Sequence, residues 1–223
     1  MAAEEFWLYG YGSLIWKPPP HFDRRVPGWV SGYVRRFWQD HRGTPEAPGR
    51  VVTLIDRSYW EQLTDHHDTA PDKVWGVAYR IIPDKVAEVK DYLDIREING
   101  YSIHYTPFHP ADGSAPIRTL VYIGTPDNEQ FVGPQDPQQL AEHILKSQGP
   151  SGLNKDYLFG LETSLDDLSP ESGDIHVSDL ARRVRALEKD AQASGRPLEP
   201  SNAPTSDFHS KASTNEAEEL EKE

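Results

Sequence analysis

The sequence predicts an α+β domain built on a twisted or closed sheet. Three observations lead there. Runs rich in β-branched and aromatic residues fill the chain up to Ile123, whereas helical stripes dominate after Asp136, an order of strands first and helices later. Regular strand–helix alternation is missing. The glycine-rich turn Gly10-Tyr11-Gly12-Ser13 leads into Pro18-Pro19-Pro20 and not into a helix, which argues against a dinucleotide-binding fold.

Phe6-Trp-Leu-Tyr-Gly-Tyr11 is apolar and aromatic apart from its glycine and reads as a short buried strand, ended by the Gly-x-Gly-Ser turn. Gly28 to Gln39 reads as one long strand with bends at its glycines, and Arg50–Ile55 and Val74–Ile82 as two more. Between them the polar stretch Asp56–Lys73, with adjacent His66 and His67, reads as a solvated loop, since no third ligand is near for a metal. Pro83–Leu93 is a short helix with Asp84 as its N-cap and Val86, Val89, Tyr92 and Leu93 as its stripe, broken at Asn99-Gly100. Tyr101–Phe108 and Ile117–Ile123 are strands. Asp136-Pro137 is a cap followed by proline at the first helical position, leading to Leu140, Ile144 and Leu145. Tyr157, Leu158, Leu161, Leu165 and Leu168 mark the next helix, and Val177, Leu180, Val184 and Leu187 the last. From Ala191 the apolar stripe ends. We therefore expect one domain over residues 4–190 and a disordered acidic tail over 191–223.

Composition excludes several classes of function. A net charge of −13 disfavours nucleic acid and anionic membranes as partners. The chain has no cysteine, which removes disulfides, thiolate metal sites and a thiol nucleophile, and fits a reducing compartment. No basic-then-apolar leader and no run of membrane-spanning length is visible, so the expected location is cytoplasmic.

The remaining chemistry rests on Ser13, the histidines and the acids. Gly12-Ser13-Leu14 lacks the Gly-x-Ser-x-Gly pattern of a nucleophile elbow, and nothing in the spacing selects His41 or His104 as its base. Successive amides in the Gly10–Leu14 turn can form a nest for a carboxylate, although a plain turn or bulge has the same appearance. Glu88, Asp91 and Asp94 read as a solvated helix face. Glu97 differs. It stands beside Ile95 and Ile98, where apolar surroundings raise a carboxyl pKa toward the general-base range, so it is a candidate for either a catalytic or a merely structural acid.

Tyr11-Gly-Ser-Leu-Ile-Trp16, Arg35-Arg-Phe-Trp-Gln39, Asp40-His-Arg-Gly-Thr-Pro45, Pro48-Gly-Arg-Val-Val-Thr-Leu54 and Trp75-Gly-Val-Ala-Tyr79 together resemble the ChaC family. Tyr92-Leu-Asp-Ile-Arg-Glu-Ile-Asn-Gly-Tyr101, Val121-Tyr-Ile-Gly-Thr125, Phe131-Val-Gly-Pro134 and Gly149-Pro-Ser-Gly-Leu-Asn154 continue it in order. The resemblance implies a glutathione-specific γ-glutamylcyclotransferase, with a mixed sheet closing toward a barrel and helices around it. It implies that Leu8, Tyr9, Gly10, Tyr11, Gly12, Ser13 and Leu14 hold the γ-glutamyl group and that Glu97 is the general acid/base. It implies glutathione as the small-molecule partner, no metal, no cofactor and no protein partner. The stretch 56–73 and the tail after Ala191 are expected to lie outside the family pattern, which bears on substrate access and regulation and not on the reaction. A cyclotransferase for other γ-glutamyl compounds, a hydrolase releasing glutamate and a non-catalytic binding module remain the alternatives.

Overall fold

The computed structural model describes residues 5–44, 47–96, 101–149 and 152–195. Its strands are β1 (Trp7–Gly10), β2 (Phe22–Val30), β3 (Tyr33–Thr44), β4 (Ala47–Asp56), β5 (Val74–Ile81), β6 (Ser102–Pro110) and β7 (Ile117–Ile123), with a two-residue pair β8 (Gln148–Gly149) and β9 (Gly152–Leu153). Its helices are α1 (Arg57–Trp60), α2 (Val86–Arg96), α3 (Pro137–Lys146), α4 (Asn154–Leu168) and α5 (Ile175–Ala193). None of the helices among the described residues is long and apolar enough to cross a membrane.

Five strands close a barrel in the order β1-β5-β2-β6-β7. The first apolar run of the sequence makes the closure. Leu8 of β1 pairs antiparallel with Tyr79 of β5 on one side and parallel with Leu120 of β7 on the other. A strand buried on both flanks needs the continuous apolar run that Trp7-Leu8-Tyr9 supplies, and all three side chains are buried. The closure is tight: a Cβ on Gly76 of β5 would lie 2.2 Å from the carbonyl oxygen of Gly10, so only glycine fits.

The expected single strand from Gly28 to Gln39 is two strands. Ser31-Gly32 turns the chain, with Gly32 at φ +84°, and β3 leaves the barrel to form a separate hairpin with β4. The turn is hidden in the sequence because the apolar pattern resumes on both sides of it. Asp84 is not the cap of a helix. It lies inside a 3-10 turn, Pro83–Lys85, that precedes α2 and has Ile82 at its cap position. The stripe is as expected, with Val89 and Leu93 buried and Val86 and Tyr92 packed at the edge of the core. Asp136 caps α3, accepting from the amides of Gln138 and Gln139 at 2.9 Å each.

The stretch 56–73 is mostly exposed and irregular beyond Trp60, as expected of a solvated loop, but it is anchored at particular residues. Asp56 caps α1, and Trp60 packs with Val34, Trp38 and Ile55 on the β3–β4 hairpin. Asp65 then docks into the hairpin. Its Oδ2 accepts from Arg36 Nε at 2.6 Å and from Trp60 Nε1 at 2.8 Å, and the Arg36 and Asp65 side chains are 1% and 4% exposed. Removing one partner of such a buried pair costs about 3–5 kcal/mol, because the other is left as an uncompensated buried charge.

α5 runs to Ala193, past the expected boundary at residue 190, and Ser194 closes it with a hydrogen bond to the Asp190 carbonyl at 3.0 Å. The residues expected to form the tail lie, from 196 onward, outside the described residues. With so little apolar surface to offset ordering entropy, deletion of Arg196–Glu223 is expected to leave the thermal midpoint and kcat/KM within experimental error. A drop of several degrees on deletion would show that the segment docks.

Candidate functional site

The Gly10–Ser13 turn leaves the end of β1 and tightens into a 3-10 turn over Ser13–Ile15. Ile15 N–H donates to the Gly12 carbonyl at 3.0 Å, and Trp16 and Lys17 N–H both reach the Ser13 carbonyl. The amides of Gly12, Ser13 and Leu14 precede Ile15, the first donor of that pattern.

The turn borders a cavity of about 50 Å³, lined by Tyr9, Gly10, Tyr11, Gly12, Ser13, Leu14, Val52, Tyr101, Tyr122 and Tyr157. Six of the seven residues expected from the resemblance are therefore brought together. Leu8 is not among them: it lies deeper in β1, fully buried, where its backbone joins β5 and β7. Glu97 falls outside the described residues. Its described chain neighbours bracket it, since α2 ends at Arg96 and Tyr101 lines the cavity.

Phenol hydroxyls set the walls. Tyr9 donates to the Val74 carbonyl at 2.7 Å, Tyr11 to the Tyr122 carbonyl at 2.8 Å, and Tyr79 to the Leu14 carbonyl at 2.8 Å. The last of these pins the turn to β5. Burial pushes the Tyr9 phenol well above its usual pKa, although the nearby Arg35 charge works the other way, so Tyr9 stays a neutral donor. Tyr157 of α4 faces the turn, its hydroxyl oxygen 2.9 Å from the point a Cβ on Gly12 would occupy, with Val52 Cγ2 at 3.1 Å from the same point. β4 is tied to the start of α4 by Asn154, whose side chain accepts from Arg50 N–H and donates to the Arg50 carbonyl, each at 2.8 Å.

No carboxylate, histidine, lysine or arginine stands among the described lining residues. The cavity can thus hold and orient a small polar head group, but a base must come from outside that set. Neither His41 nor His104 lines it, and His104 Nε2 lies 2.6 Å from Ser102 Oγ, so a Ser13–histidine pair gains no support. Among the described residues no group of three or more histidines and acids is placed to hold a metal ion. A larger cleft of about 850 Å³ opens at the opposite end of the barrel, where β1 and β7 begin at Trp7 and Ile117, and it contains none of the expected site residues.

Val52, Tyr101, Tyr122 and Tyr157 were not singled out by sequence reasoning as site residues. Each sits in an apolar or aromatic pattern that reads as core; Val52, Tyr101 and Tyr122 stand inside blocks of the resemblance, whereas Tyr157 was marked only as part of a helical stripe.

Comparison with known proteins matches residues 6–187 to a family described as ChaC-like protein, so the stretch 56–73 lies within the matched span and not outside the family pattern as expected. A glutathione-specific γ-glutamylcyclotransferase of Schizosaccharomyces pombe is 47% identical over 186 residues, covering 80% of this chain and 92% of that protein. The human glutathione-specific γ-glutamylcyclotransferase 1 is 37% identical over 191 residues, covering 82% and 80%. The crystal structure of a selenomethionine-labelled γ-glutamyl cyclotransferase specific to glutathione from yeast superimposes with a TM-score of 0.74 at 37% identity, covering 82% of this chain and 96% of that one.

Proposed function

The chain belongs to the ChaC-like family, and from that premise we propose that it cleaves glutathione by γ-glutamyl cyclotransfer. The observation that carries the reading is kinship over most of the chain with relatives named for that activity. The cavity gives it a physical basis. It is small, about 50 Å³, and walled by the turn and by Val52, Tyr101, Tyr122 and Tyr157, which suits it to receive one end of a substrate. The α-carboxylate of the γ-glutamyl end fits that description, received by the amides of the Gly12–Leu14 turn, with the rest of the substrate lying over the rim.

The α-amine of the γ-glutamyl group attacks its own γ-carbonyl carbon. A new C–N bond closes the five-membered ring of 5-oxoproline, and the old amide C–N bond breaks to release Cys-Gly. The amine arrives as an ammonium and must lose a proton, while the departing nitrogen must gain one. One carboxylate can do both, and we assign that role to Glu97. No water is consumed, which makes the enzyme a lyase. Because both reacting groups belong to one molecule, much of the rate enhancement comes from holding the folded-back conformer. The walls fixed by Tyr9, Tyr11 and Tyr79 supply that rigidity. The cysteine-free composition agrees with a cytoplasmic enzyme in the presence of reduced thiols.

Incubation of the purified protein with glutathione is expected to yield 5-oxoproline and Cys-Gly in equal amounts. Free glutamate in place of 5-oxoproline would make it a hydrolase. Turnover of other γ-glutamyl amines at equal kcat/KM would remove glutathione specificity, and binding without any product would leave only a binding module.

A further inference from the structure

Groups from three elements line up behind one wall of the cavity. The amide N–H of Phe37 on β3 donates to Nε2 of His176, the second residue of α5, at 3.1 Å. Nδ1 of His176 lies 3.0 Å from Nδ1 of His67, in the segment that follows α1. Nε2 of His67 lies 3.0 Å from Oδ2 of Asp179. An amide can only donate, so Nε2 of His176 accepts and the proton of the neutral ring sits on Nδ1. That proton goes to Nδ1 of His67, which leaves the His67 proton on Nε2, aimed at the carboxylate. One arrangement of protons satisfies every atom of the row, and in it both rings are neutral.

An added proton breaks the row wherever it lands. On His67 it turns Nδ1 into a donor facing another donor. If His176 answers by moving its own proton to Nε2, the Phe37 amide loses its acceptor within the core, where Phe37 is fully buried and His176 nearly so. Asp179 does not take the proton instead: burial opposes its charge, but Arg183, Arg182 and His67 hold its carboxyl down at about 2. The other charges packed around the row are Arg35 and Arg36 from β3, Asp174 at the cap of α5 and Asp65 from the docked segment. Burial carries the His176 imidazole well below its ordinary pKa, and the positive charges of Arg36, any proton on His67, and Arg35 act in the same direction. The unfolded chain therefore takes up this proton first as pH falls. The stabilisation is complete above about pH 6.5 and declines as pH drops from there toward the folded value.

The row also reaches the cavity. The Phe37 ring packs edge-on against Tyr157 with centroids 5.9 Å apart and lies tilted against His176 at 6.0 Å, and Tyr157 lines the cavity. We propose that His67 and His176 are positioning residues, forming a latch that is closed only when both rings are neutral and that holds Phe37, and through it the Tyr157 wall of the substrate cavity. The positioning role rests on the γ-glutamyl reading of that cavity; the latch itself does not.

His176→Gln tests it, because a glutamine amide can accept from the Phe37 amide and donate to His67 Nδ1 yet cannot titrate. Between pH 7.5 and 5.5 the thermal midpoint of the parent should fall further than that of His176→Gln, by about 3–8 °C. Over the same interval the parent's KM for glutathione should rise about fivefold or more, and that of the variant by less than about twofold. Nitrogen-15 chemical shifts of the parent at pH 7.5 should show His176 protonated on Nδ1 and His67 on Nε2. Parallel melting curves for the two proteins, or a His176 proton on Nε2, would overturn the latch. A latch confirmed by melting and by nitrogen shifts but with identical KM profiles would overturn the positioning role. If neither protein turns over glutathione at any pH, the substrate reading fails, while melting and nitrogen shifts still decide the latch.

Discussion

Glu97→Gln is expected to leave a folded protein whose turnover of glutathione falls by about 10²–10⁴. The size of the effect follows from the composition of the cavity wall. With no other described lining residue able to take a proton from an ammonium, loss of the carboxylate leaves only water and the substrate itself. Glutamine keeps the shape and the hydrogen-bonding capacity of the side chain, so binding should change little and the loss should fall on kcat. A second feature separates a missing base from a distorted site. As pH rises toward the pKa of the substrate's α-amine, which the adjacent α-carboxylate holds above the peptide N-terminal value of about 8, the substrate deprotonates without help, so residual activity should climb more steeply with pH than that of the parent. Turnover within a few-fold of the parent, in a variant with an unchanged melting curve, would show that Glu97 is not the base.

Gly12→Val is expected to weaken glutathione binding by about 10²-fold or more, equivalent to roughly 2.7 kcal/mol. A Cβ at this position would already stand 2.9 Å from the Tyr157 hydroxyl oxygen and 3.1 Å from Val52 Cγ2. The two further methyl groups must then enter a space of about 50 Å³ or force the turn away from it. Either outcome denies the turn's amides their approach to a carboxylate. Calorimetry should use Glu97→Gln as the host for the substitution, so that substrate is not consumed during the titration. Gly12→Ala, with a single added carbon at the same two contacts, should give an intermediate loss. Unchanged affinity in the valine variant, with cooperative melting retained, would remove the nest from the mechanism.

These two positions mark the limits of what was legible before the fold was known. The Gly10–Leu14 turn was readable because its signal is local: an apolar run interrupted by glycines constrains the backbone whatever lies around it. The same holds for the Asp136-Pro137 cap of α3 and for the stripe Tyr157, Leu158, Leu161 and Leu165 of α4, where periodicity and capping chemistry act within a few residues. Glu97 could be picked out by apolar neighbours and by its place in a family block, and its role remains a proposal.

Other features depended on contacts between residues far apart in the chain. Tyr11, Val52, Tyr122 and Tyr157 come from different parts of the chain, and only closure of the barrel and docking of α4 make them the walls of one cavity. Locally each is simply apolar or aromatic, and burial by itself does not distinguish a core contact from a cavity wall. Asp65 and His67 looked like parts of a solvated loop because their hydrophilicity is visible in sequence and their partners are not. Arg36 lies 29 residues from Asp65, and Asp179 lies 112 residues from His67. Periodicity records how each residue prefers to meet water. Whether a polar group meets water or a buried partner of complementary charge is decided by tertiary contacts, because pairing in the interior depends on distances of about 3 Å between atoms that no local pattern brings together.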